Sequence, residues 1–80
     1  MNDAEREATR DALLNQLTKA LNERNRIAAA AEPFRQAACK DPYNSYAMTI
    51  WKTYQEHNYR NEEAISELLS DLNALDKPQG

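Results

Sequence analysis

One histidine, His57, and one cysteine, Cys39, stand in this chain of 80 residues. That supply is too small for a zinc site, which takes three or four soft ligands. No Ser/His/Asp set, phosphate-cradling glycine loop or metal-ligand spacing occurs either. His57 has no nucleophile placed beside it, and Cys39, preceded by Ala37 and Ala38, reads as a small packing residue. The grouping of Glu62, Glu63 and Glu67 lacks the pocket that paired catalytic carboxylates need. The expectation is therefore a non-enzymatic protein without metal or cofactor.

Recognition chemistry is better represented. Tyr43, Tyr46, Trp51, Tyr54 and Tyr59 fall within 17 residues, and Phe34 precedes them. Tyr and Trp combine a large apolar body with a polar tip, the composition of interface hot spots. Tyr43, Ile50 and Tyr54 are expected in the core. Tyr46, Trp51 and Tyr59 are expected to contact a protein partner, with Arg35 and Lys52 at the rim. Basic residues between the rings would also suit base stacking, which is the weaker reading. A second group is polar: Arg24 and Asn25 on one side, His57, Asn58 and Asn61 on the other. It would either set helix register or hold a small anionic ligand or nucleotide. A third group is acidic, with Glu62, Glu63, Glu67 and Asp71 in a stretch free of Lys and Arg. Such a face is usually solvated, and its sign argues against direct DNA binding.

The elements that must carry these residues are helices. From Asp3 to Ala31, Leu14, Leu17, Leu21, Ala28 and Ala31 recur at spacings of three and four, with Arg24 in the one missing step. Leu13, Ala20 and Ile27 widen the stripe. Pro33 removes a backbone donor and crowds the carbonyl of Ala29, so a kink is expected there. Lys40-Asp41-Pro42-Tyr43-Asn44 reads as a reversal, with Asp41 as N-cap and Pro42 in the first position of the next helix. After it, Tyr43, Ala47, Ile50 and Tyr54 form one stripe, and Ile65, Leu68, Leu72 and Leu75 continue it in phase. The fold expected is all-α, an antiparallel helical hairpin forming a single domain over residues 1–80. Arm one would cover about 3–40, the turn about 40–43 and arm two about 42–76, with a frayed tail at 77–80. In this pairing Leu14 and Leu17 would meet Leu68 and Ile65, and Arg24 and Asn25 would meet His57, Asn58 and Asn61.

Such a hairpin is short of core. The apolar share is 41%, yet 13 of those residues are Ala and none is Val. Domains of this size bury little surface even with large side chains. Self-association into a helical bundle is the expected remedy. The single Cys, the lack of a signal-peptide layout at Met1-Asn2-Asp3-Ala4-Glu5-Arg6-Glu7 and the absence of a long apolar run point to a reducing cytoplasm and no membrane. The net charge of −3 is uneven: residues 1–40 carry seven basic and six acidic side chains, residues 41–80 three and seven.

The helix, Lys40-Asp41-Pro42-Tyr43-Asn44 turn and second helix, with Tyr59-Arg60-Asn61 further on, somewhat resemble type III secretion needle subunits, which implies a structural assembly subunit. Those subunits have a second proline where this chain has Ser45, and an apolar end where it has Asp76-Lys77-Pro78-Gln79-Gly80. The mix of Leu, Arg and Ala over residues 13–35 is superficially similar to helical chorismate mutases, but Asn44 and Ser45 replace the charged side chains those enzymes need after the turn. Neither likeness amounts to a family. The leading expectation is a small acidic protein that acts by protein–protein binding. By analogy of size and style, it would be a phage-type inhibitor of host or defence machinery.

Overall fold

A computed structural model describes residues 2–76 of the chain; the expected tail at 77–80 lies outside them. Helix α1 runs Asp3–Lys40 and helix α2 runs Ser45–Asp76. The two pack side by side as an antiparallel hairpin measuring 58 × 19 × 13 Å, and the described residues contain no strand.

Each end of α1 is closed by a side chain or a backbone group. The Asn2 Oδ1 accepts from the Glu5 N–H at 2.8 Å, and Asp3 and Glu5 place negative charge in the first turn. At the other end the Asp41 N–H donates to the Ala37 carbonyl, and Lys40 supplies the favourable positive charge. The helix continues through Pro33, which sits on an exposed position.

The reversal is built differently from the expected Asp41 cap. The Asp41 side chain accepts from the Tyr43 N–H at 3.1 Å, and its carbonyl accepts from the Asn44 N–H at 3.0 Å. Asp41 thus opens a β-turn with Pro42 in the second position, where its fixed φ is favoured. The cap of α2 is Asn44, whose Oδ1 accepts from the Ala47 N–H at 3.1 Å. Asp-Pro serves either role, and Asn44 three residues ahead of Ala47 settles the choice. Among the described residues none has positive φ, so the turn needs no glycine.

The seam between the arms follows a strict alternation of three and four. On α1 its apolar members are Leu13, Leu17, Ala20, Ile27, Ala31, Phe34 and Ala38, with Arg10 and Arg24 in the same series. On α2 it runs Ala47, Trp51, Tyr54, Asn58, Asn61, Ile65, Leu68, Leu72 and Leu75. All of these are buried or half-buried, and the average step of 3.5 residues is that of a coiled coil. Among the described residues only Ile27, Ala38, Ala47 and Ile65 are buried. The α1 phase differs by one residue from the expected stripe: Leu14 is 44% exposed and Ala28 is exposed, while Leu13, Ala20 and Ile27 face the partner arm. Helix α2 keeps the expected continuity through Asn58 and Asn61.

Candidate functional site

The aromatic residues cluster around the turn-proximal part of the seam, but they do not share one face. Phe34 of α1 anchors them. Its ring stacks on Tyr54 at 6.0 Å between centroids and meets Tyr46 edge-on at 6.4 Å. Tyr54 and Ile50 are half-buried. Tyr43, expected in the core, is 94% exposed because it occupies the turn instead of the helix. Tyr46 is 72% exposed and Tyr59 67% exposed. Tyr59 lies with Lys52, Gln55, Glu56 and Arg60 around a groove on the outer side of α2. Trp51 and Arg35 are elsewhere. They line an open groove of about 190 Å³ between the arms, together with Ile27, Ala28, Ala31, Tyr54 and Asn58. The proposed contact set is thus divided: Lys52 and Tyr59 on one strip, Tyr46 against Phe34, and Trp51 with Arg35 in the groove.

Arg35 is held by its own helix. Two of its guanidinium nitrogens donate to the Glu32 carboxylate at 2.8 and 2.6 Å, and Gln36 adds a third bond at 3.1 Å. Those bonds from Arg35 and then Gln36 hold the Glu32 carboxyl down at about 2, and the same pairing raises the Arg35 guanidinium. A matching Glu23–Arg26 pair at the edge of the polar group lowers Glu23 and raises Arg26, in both cases chiefly through their shared hydrogen bond.

The polar group does form a layer halfway along the hairpin. The Asn61 Nδ2 donates to the Ala20 carbonyl of the opposite arm at 2.8 Å. An Arg24 nitrogen lies 3.8 Å from a Glu62 carboxylate oxygen, and His57 Nε2 lies 3.6 Å from Glu23. Asn25 is exposed and makes none of these contacts. Asn58 places its Oδ1 out of reach of solvent and without a hydrogen-bond partner. Glu23 and Glu62 are the members that sequence reasoning missed, because they lie beside the seam rather than in it. Helix spacing carries the signal: Glu62 follows Asn58 by four residues, and Glu23 precedes Arg24. The Glu62 and Glu23 carboxylates lie beside Arg24 and His57 of the opposite arm, so the layer can match one arm to the other.

Arg10 and Asp76 form a further ion pair across the open end of the hairpin. Glu62, Glu63, Glu67 and Asp71 are all exposed along α2. Among the described residues no group of three His, Cys, Asp or Glu could hold a metal ion, and no helix is long and apolar enough to cross a membrane. Compared with known proteins, the chain matches no family model, no curated protein and no solved structure at a significant level.

Proposed function

We propose that this protein acts by binding another protein, using the exposed aromatic side chains of helix α2, and that it does so as a self-associated helical bundle. The observation that carries the first part is the exposure of Tyr46 and Tyr59, at 72% and 67%, in a chain of which only four described residues are buried. A protein short of core that leaves large rings in solvent is equipped for contact. Lys52 and Arg60 beside Tyr59 give that contact a basic rim. The shortage of core supports self-association, since a two-helix seam leaves Leu13, Leu17, Leu68 and Leu72 half-buried. Pro33 contributes a bend in arm one, where the Ala29 carbonyl loses its helical donor and the ring crowds it. In the inhibitory form of this reading, the exposed carboxylates of Glu62, Glu63, Glu67 and Asp71 occupy a groove that otherwise receives nucleic acid.

The test is capture of partners by wild-type protein against Tyr46→Ala and Tyr59→Ala. Both side chains are exposed, so circular dichroism should show unchanged helicity. Retention of the specific partner should fall by about tenfold or more for each, as for hot-spot residues. The same partners retained at the same level by both variants would refute the aromatic contact.

A further inference from the structure

One long flank of the hairpin sets exposed leucines among charged residues and is unequal in charge from end to end. It lies just beside the seam and is made by residues seven apart. On α1 these are Glu7, Leu14, Leu21, Ala28 and Arg35; on α2 they include Gln55, Glu62 and Leu69. Ala28, Arg35 and Gln55 line the same interhelical groove, which shows that the two strips border one flank. Leu14 and Leu69 stand out from it at 44% and 51% exposure. The opposite flank carries the His57–Glu23 contact and has no exposed leucine.

The α1 strip is self-complementary about Leu21. Leu14 and Ala28 lie seven residues to either side, about 10 Å along the helix, and Glu7 and Arg35 lie fourteen residues to either side, about 21 Å. A two-fold axis at Leu21 therefore brings a protruding leucine onto an alanine and a carboxylate towards a guanidinium, twice. The charge of the whole hairpin agrees with that direction. The turn half, residues 22–61, holds six basic and four acidic side chains, a balance of +2. The open half, residues 2–21 and 62–76, holds three basic and nine acidic ones, a balance of −6. Two copies laid antiparallel pair each turn half with an open half; laid parallel, they stack the acidic ends together.

We infer that a second copy of this chain docks antiparallel on the flank formed by Leu14, Leu21, Ala28 and Leu69, with Leu21 at the two-fold axis. This rests on the self-association proposed above and adds to it the face and the direction. Leu14 and Leu69 of each copy enter the groove that Ala28, Ala31 and Trp51 leave open in the other, and the four arms complete one bundle. Arg35 keeps its Glu32 pair and reaches Glu7 of the second copy from the exposed side of its guanidinium.

Cysteine cross-linking of the full chain tests this, in a Cys39→Ala background. Leu21→Cys should cross-link to itself under mild oxidation. Leu14→Cys and Ala28→Cys should each stay uncross-linked alone, their copies being about 21 Å apart, and should cross-link when mixed. Independently, Glu7→Lys should weaken the dimer about tenfold in light-scattering titrations, and adding Arg35→Glu should restore it. A dimer that cross-links through Ala28→Cys alone, or that the double charge swap fails to rescue, overturns the arrangement and leaves self-association standing. A monomer throughout overturns both.

Discussion

Next to the turn the seam is made of alanines and rings: Ala31, Phe34 and Ala38 on α1, Ala47, Trp51 and Tyr54 on α2. Beyond the polar layer it is aliphatic: Leu13 and Leu17 on one arm, Ile65, Leu68 and Leu72 on the other. The two halves reach burial by different routes. Ala38 and Ala47, at 4% and 2% exposure, are small enough for the arms to close over them, while Phe34, Trp51 and Tyr54 fill the steps between and reach only half-burial. Tyr46 lies outside the seam and keeps most of its surface in water. In the leucine half the side chains are long enough to fill the seam, yet only Ile65 among the described residues there is buried. The turn half is thus closed by small residues and leaves Tyr43 and Tyr46 in solvent. The leucine half is still open to cover, and the shortage of large apolar residues is felt there.

The sharpest way to break this contrast is to empty the leucine half. Ile65→Ala removes the one large side chain buried there and should cost about 3 kcal/mol in a urea or thermal melt. For a hairpin of this size that is a large part of its stability. Overfilling the turn half is the converse experiment. Ala47→Leu should cost about 2 kcal/mol by forcing a larger side chain into a buried position of the seam, and a neutral result would show that the alanines are not setting the approach. The smallest effect concerns charge in the turn half. The Glu32 carboxyl, held at about 2 against an ordinary 4.5 by Arg35 and Gln36, favours the folded state in its ionised form. Its contribution is therefore complete above about pH 4.5 and is lost as the pH falls towards 2. Glu32→Gln should flatten that part of the acid melt, by a small amount because the pair is exposed and screened.

Much of the architecture was legible in the residues. Good helix formers, the Asp-Pro turn and two stripes in phase define an antiparallel pair before any coordinates. The details that were not legible have physical causes. Leu13 and Leu14 are adjacent, so either could lead the seam, and a straight helix drifts by about 20° per heptad from a 3.5-residue repeat. A series of threes and fours begun at Leu14 runs through Leu17 and Leu21 to Ala28, while the coiled geometry favours Leu13, Ala20 and Ile27. Alanine and arginine positions in the seam carry too weak a signal to correct that choice. The polar layer was visible as an interruption at one height in both arms. Its carboxylates were not, since Glu23 and Glu62 lie on the shoulders, where a Glu is the ordinary choice for solvent. Tyr43 was misplaced because the helix begins at Ser45, not at Pro42.

The unbroken alternation of three and four in both arms has a consequence for how this molecule can change length. Deleting one residue within either arm turns everything beyond it by about 100°, which carries leucines into water and glutamates into the seam. A gain or loss of seven restores the facing, but in one arm alone it shifts the polar layer against its partner groups and strands Asn61 from the Ala20 carbonyl. Viable insertions and deletions in the arms are therefore whole heptads, added or removed at equal distance from the turn.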